Sequence, residues 1–400
     1  MASKAETLEQ LKNSIVSIKD NPQAVKAVSN FKKQREKLLQ FVQKYKTQVI
    51  IGTILVTIIS VYIFVFANRV NRYLNKMDVY KSKIKSLVPI QYNQEIMRGN
   101  FKLCDFYVAS SYKSYLPCTN YYDYVSCESI KRVLMCGARY IDLDVYNKDF
   151  NTCTTPIVCN GDQVGNWRYT TYITLDEACK TVAKYAFSGV HVTNPGDPLF
   201  LNINFKTWYN KDTIDKCADI LKKHFFHRFL SKKYAYQGKY TATNLATTPI
   251  KKLIGKIIIV SSGDIKNTKM EEICNLNSGE NSNFRDMNHM QVKESYDPNE
   301  LKEFNKRNLT RVIPFFKKRD KENFNFYTSY YLGCQFICMN YTNPTDFMES
   351  YVERFSKCSF ILKPYKLRYK PTLIKAPLKQ SKKVSFAPKK VTTPFYSITY

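Results

Sequence analysis

Hydrophobic and polar positions along the chain fall into distinct regimes. Leu8, Leu11, Ile15 and Ile18, and then Val25, Val28, Phe31, Leu38, Phe41 and Val42, recur at helical spacing. They predict two amphipathic helical pieces broken at Asn21-Pro22. From Thr47 to Asn68, 22 consecutive residues (TQVIIGTILVTIISVYIFVFAN) carry no charge and are apolar on every face. At roughly 1.5 Å per residue such a helix reaches across about 30 Å of hydrocarbon. Tyr62 and the phenylalanines toward its end suit an interfacial anchor. A buried core helix rarely runs this long with Ile and Val all round, so the segment is read as a single-pass membrane helix. The polar, helix-patterned residues ahead of it argue against a cleavable signal peptide.

Beyond residue 100 short apolar runs alternate with helical stretches. The strand-like runs are Phe106–Ser110, Tyr140–Val145, Pro156–Cys159, Leu199–Phe205, Lys256–Val260, Arg311–Phe315, Cys334–Asn340 and Phe360–Leu362. Helical patterns fill Ser126–Met135, Leu175–Ala186 and Thr213–Leu230. Eight strands with helical crossovers in roughly 270 residues are what a β/α barrel requires. The expected fold is therefore α/β, a (β/α)8 TIM-type barrel preceded by N-terminal helices and one transmembrane helix. The expected organisation is a basic helical arm over 1–46, the membrane helix over 47–68, a stem over 69–99, the barrel over 100–368 and a disordered basic tail over 369–400.

Charge sharpens this division. The chain has 62 Lys and Arg against 33 Asp and Glu, a net +29. Residues 1–46 carry +6, 68–99 carry +5 and the acid-free tail 369–400 carries +7, leaving +11 for 100–368. A basic chain suits nucleic acid or an anionic membrane. Because the basic clusters flank a membrane-length helix, lipid is the expected partner and no nucleic acid is expected. Orientation stays open: six basic residues lie within 20 positions on each side of the span, so the positive-inside rule abstains. The side on which the barrel lies is thus undetermined. The 12 cysteines include no C-x-x-C pair, so a zinc site is not expected. Sequons at Asn308 and Asn340 are read as chance matches.

Several runs resemble one family in order and wording. Val108-Ala109-Ser110-Ser111-Tyr112-Lys113-Ser114-Tyr115-Leu116 resembles the "ASSHNTYL" opening of the X region of phosphoinositide-specific phospholipase C. Gly137–Tyr146 resembles "GCRxIELDxW", Pro156–Gly161 resembles "PIVYHG", Tyr185-Ala186-Phe187 matches "YAF", and Leu253–Ile259 resembles "LKGKIII". In the Y region Arg311-Val312-Ile313-Pro314 resembles "RIYP", Gly333-Cys334-Gln335 matches "GCQ", and Ile361–Pro364 resembles "VLKP". The resemblance spans about 270 residues and implies a distorted β/α barrel.

It also implies a chemistry. In active members of the family an inositol hydroxyl attacks phosphorus, one histidine and a calcium ion stabilise the developing charge, and a second histidine assists proton transfer. Such a transition state demands cationic charge and a base titrating near neutrality. The first histidine position is Tyr112 here and the second is Asn160. Tyrosine ionises near pH 10, too high for that base. Of the calcium ligands the acidic pair survives as Asp142 and Asp144, while the asparagine ligand corresponds to Lys113 and the glutamate to Asn204. Lys113 is expected to pair with one of the aspartates in place of an ion, so no cofactor is expected, Ca2+ being the candidate for any residual metal site. Arg311 keeps a headgroup-binding position, but the neighbouring tyrosine is Ile313 and a phosphate-contacting lysine is Val260. His191, His224, His227 and His289 are all expected away from the carboxyl ends of strands.

These readings predict a membrane-anchored, phospholipase C-like pseudoenzyme that binds lipid or serves a structural role. Two alternatives stay open: an active phosphoric diester hydrolase with a modified mechanism, and a membrane scaffold recruiting partners through its basic arms. For the latter, Lys383-Val384-Ser385-Phe386 resembles the K/R-V-x-F docking peptide of type-1 protein phosphatase.

Overall fold

In a computed structural model of the chain, residues 22–84, 86–117, 124–148, 154–161, 171–235, 243–278, 283–315, 323–371 and 387–400 are described. The chain divides into two compact units, residues 1–76 and 77–400. In the first, helix Pro22–Lys44 precedes a helix that starts at Lys46 and runs to Lys83. Its stretch Lys46–Val65 is long and apolar enough to cross a membrane, and none of it is buried in protein. The helix continues past residue 68, the expected end of the span.

In the second unit the parallel strands are β1 (Phe106–Ser111), β2 (Tyr140–Asn147), β5 (Leu199–Phe205), β6 (Ile257–Ser262), β7 (Leu276–Ser278), β8 (Phe284–Asn288), β9 (Leu309–Ile313) and β10 (Phe336–Met339). They follow the order β7-β6-β5-β2-β1-β10-β9-β8, a nearly closed barrel. Among the described residues no ladder joins β7 to β8, so the seam lies there.

Two runs expected as barrel strands lie outside that ring. β3 (Pro156–Val158) pairs antiparallel with β2, and β4 (Ile173–Thr174) pairs with β3. β11 (Phe360–Leu362) pairs antiparallel with β1. The barrel uses β7 and β8 instead, neither of which the hydrophobic pattern predicted. β8 reads FRDMN and buries fully only Phe284, so no apolar run marks it. Of the helices, Leu175–Ala186 has its predicted bounds, Cys127–Met135 starts after an Ser126 N-cap, and Lys211–Phe225 ends before the expected Leu230.

Alternation along the strands sorts the barrel interior into a dry floor and a polar mouth. Tyr140, Phe200, Ile258, Phe284, Leu309 and Phe336 share one buried cluster, with Tyr140 and Phe336 rings 4.8 Å apart and Phe200 and Phe336 rings 4.7 Å apart. Two residues on toward the carboxyl end, the same faces carry Asp142, Asn202, Asp286 and Arg311, while Val260 and Cys338 extend the apolar cluster on their side. Period-2 side-chain direction therefore places polar groups above an apolar plug.

Parts of the expected stem and tail carry defined structure. Tyr80, Ile84, Leu87 and Ile90 are buried, and the backbone N–H groups of Leu87, Val88 and Ile90 donate to Thr193, Lys357 and Asp197. Residues from 77 on thus pack onto the barrel, because their apolar faces have its outer wall to cover. Near the chain end, Lys390–Thr392 and Ser397–Thr399 form an exposed antiparallel hairpin in a segment expected to be disordered. The β-branched residues Val391, Thr392 and Ile398 give that stretch strand propensity. The Lys383, Val384 and Phe386 motif lies outside the described residues. The ten described cysteines are unpaired.

Candidate functional site

The mouth is assembled by five strand ends. β1 runs into a turn in which Lys113 adopts a left-handed φ of 43°, uncommon for a residue with a Cβ. Two backbone bonds hold that turn: Lys113 N–H donates to Asp142 Oδ2 at 3.1 Å and Ser114 N–H donates to the Asp142 carbonyl at 3.0 Å. The Lys113 side chain is thereby fixed over β2. Its Nζ lies 2.8 Å from Asn160 Oδ1 and 3.2 Å from Asp144 Oδ2. The expected lysine–aspartate pairing is thus with Asp144.

Register places the asparagines. On β5 Asn202 sits opposite Asp142 and Asn204 opposite Asp144. Asn202 Nδ2 donates to Asp142 Oδ1 at 2.7 Å, and Asn204 Nδ2 donates to Asp142 Oδ1 and to Asp144 Oδ1, each at 2.8 Å. Tyr115 O–H donates to Asp144 Oδ2 at 2.9 Å. From β9, Arg311 Nη2 reaches Asp142 Oδ1 and its Nη1 reaches Asp286 Oδ2, both at 2.8 Å. Asp142 and Arg311 are almost wholly out of solvent, at 0% and 2% side-chain exposure, so each charge offsets part of the other's desolvation cost.

Environment splits the two aspartates. Burial raises Asp142, outweighing the Arg311 guanidinium that lowers it, and the Asp144 charge adds to the rise. Burial also acts to raise Asp144, but the ammonium groups of Lys113 and Lys206 and the bonds from Asn204 and Tyr115 outweigh it and hold that carboxyl below its ordinary value. Arg311 stays charged: burial opposes it, yet Asp142 and Asp286 lift it well above its ordinary value. At Tyr112, the position of the family's first histidine, burial and then the charges of Asp144 and Asp142 push the phenol well above its ordinary value.

The fold therefore brings Tyr112, Lys113, Asp142, Asp144, Asn160, Asn204 and Arg311 to one end of the barrel. Val260 instead lies in the apolar cluster, with Ile313 packed against it. Asp286, Asn202 and Tyr115 belong to the same network and were missed. For Asp286 the only signal was its place two residues after Phe284 in a stretch that does not read as a strand.

One expectation about histidine is corrected. His289 directly follows β8, so it does lie at the carboxyl end of a barrel strand. Its Nδ1 accepts from Phe315 N–H at 3.1 Å and its ring stacks on Phe324 at 4.8 Å. Burial and Lys293 lower its pKa, which keeps the ring neutral. His224 is a helix-face residue, 2.9 Å from Asp176 Oδ1.

Two family models match the chain. Phosphatidylinositol-specific phospholipase C, X domain, covers residues 100–262, and phosphatidylinositol-specific phospholipase C, Y domain, covers 256–366. Among solved structures the chain is similar to L. pealei PLC21, at 15% sequence identity and TM-score 0.56, over 70% of this chain and 40% of that one. It is likewise similar to S. officinalis PLC21, at 16% identity and TM-score 0.54, over 68% and 38%. At such identities the likeness is one of fold, and the chain spans about two fifths of those proteins' length. No curated protein matches it by sequence. With the X and Y matches lying end to end over the strands that build this barrel, the chain belongs to the phosphatidylinositol-specific phospholipase C family.

Proposed function

We propose that the protein is a membrane-anchored phospholipase C-like barrel that binds phosphoinositide-bearing membranes without cleaving their lipids. The observation that carries this reading is the state of the two positions at which active members of the family carry histidine. Tyr112 is held protonated by burial and by two neighbouring carboxylates, and Asn160 is a neutral amide whose oxygen is taken by Lys113. Neither can accept a proton near neutrality, and general base catalysis is worth about 10²–10⁴-fold in rate.

Anchoring is supported by the stretch Lys46–Val65, whose apolar surface has no protein cover. A soluble chain rarely exposes so large a patch, and its length matches a bilayer core. The basic residues on either side of it would add attraction to an anionic leaflet.

The test is turnover by the full chain in phosphatidylinositol vesicles with calcium present. Release of inositol phosphate should not exceed the protein-free blank. Release that Asp144→Ala abolishes would overturn the reading in favour of an active hydrolase with a modified mechanism.

A further inference from the structure

A calcium ion asks for about six to eight oxygen ligands converging on one point. This mouth offers hydrogen-bond donors instead. Asp142 Oδ1 accepts from Asn202, Asn204 and Arg311, and its Oδ2 accepts from the Lys113 backbone. Asp144 Oδ1 accepts from Asn204, and its Oδ2 from Tyr115 and the Lys113 ammonium. All four oxygens of the surviving acidic pair thus face N–H or O–H groups. Among the described residues no group of three His, Cys, Asp or Glu side chains is placed to hold a metal. The residues present do not fit calcium.

We propose that Lys113 and Arg311 are the resident cations of this mouth, built in where a divalent ion would otherwise sit, and that Lys113 is the residue that excludes one. The two divide the work. Arg311, buried just above the apolar floor, bridges Asp142 to Asp286. Lys113 enters from above and bridges Asp144 to Asn160. An ammonium cannot ligate a cation, and at this position it would add direct charge repulsion. Two covalently attached cations also need no recruitment from solution, so the barrel mouth is complete at any calcium concentration. This inference is independent of whether the barrel turns over lipid, since it concerns only ion binding.

The experiment compares the full chain in detergent micelles with and without calcium at about 10 mM, above the dissociation constants of even weak protein sites. Unfolding midpoint and tyrosine-sensitised terbium luminescence are both read. The wild-type midpoint should not move, and terbium at micromolar concentration should give no tyrosine-sensitised signal. The Lys113→Asn protein removes the ammonium and supplies an amide oxygen. It should unfold earlier without calcium and recover by roughly 3 °C or more with it, with terbium luminescence appearing. A wild-type midpoint that rises with calcium, or wild-type luminescence at micromolar terbium, would overturn the proposal without reference to any variant. A folded Lys113→Asn protein that ignores both ions would overturn the assignment of Lys113 as the excluding residue. Inositol phosphate release would bear on the proposed function and leave this result unchanged.

Discussion

Replacing Arg311 by methionine tests whether the mouth is held together by charge. Methionine keeps much of the arginine stem volume while removing the guanidinium. At 2.8 Å from Asp142 Oδ1 and an effective dielectric of about 20, the Arg311–Asp142 attraction is about 6 kcal/mol before desolvation. Loss of Arg311 returns its own desolvation cost, and Asn202, Asn204 and the Lys113 N–H still donate to Asp142. Removing one partner of such a buried pair costs about 3–5 kcal/mol, and the low end is expected given those remaining donors. The deficit should depend on pH. With the guanidinium gone, burial raises Asp142 further, so the folded variant takes up a proton at higher pH than the unfolded chain does. Its deficit is therefore full near neutrality and shrinks as pH falls toward the ordinary aspartate value of about 3.9. Denaturant unfolding followed by tyrosine near-ultraviolet dichroism, at neutral and acid pH, measures both effects. Adding Asp142→Asn should restore most of the lost stability at neutral pH, because no lone buried charge is left. A deficit under about 1 kcal/mol, or one that Asp142→Asn fails to relieve, would refute the charge-compensation account.

Other outcomes follow from the same structure. Lys363 is fully buried with its Nζ 3.1 Å from the Asn305 carbonyl, and burial lowers its pKa to about 8. The folded protein therefore releases this proton before the unfolded chain does. Stability should gain on the order of 1 kcal/mol per pH unit from this group above pH 8, a slope that Lys363→Met should lack in unfolding measured from neutral pH to 10. In the anchor, Ile58→Arg places a charge mid-span at a cost of about 3 kcal/mol, so resistance to alkaline extraction from membranes should fall, and unchanged resistance would argue against a spanning helix. Finally, Tyr115→Phe removes one donor from Asp144 and should cost about 1–2 kcal/mol in denaturant unfolding, with no change if that hydroxyl is not bonded in solution.

Much of the site was legible because it depends on which residue types occupy positions two apart on a strand. Asp142 and Asp144 must share a face, and a lysine beside the barrel mouth must find a carboxylate. What the pattern could not give is which carboxylate. Lys113 chooses Asp144 and Asn160 because β3 folds back on β2 and carries Asn160 to it across 47 positions of sequence. Short apolar runs mislead for a related reason. Pro156–Val158 and Phe360–Leu362 are apolar enough to be barrel strands, yet each pairs antiparallel as an appendage. β8 is polar on most of its faces and still closes one edge of the ring. Pairing partner is a property of the neighbour, and no periodicity in the strand itself encodes it.

The sequence by itself determined the apolar span, the amphipathic helices and the inward aspartates, since each rests on side-chain identity and local period. Only the tertiary structure decided that Asp286 and Asn202 join the network, that His289 lies at a strand end, and that Arg311 is spent on Asp142. The stagger of a parallel barrel brings side-chain atoms from β2, β5, β8 and β9 within about 3 Å of one another at the mouth, and that convergence fixes which cation each buried carboxylate meets.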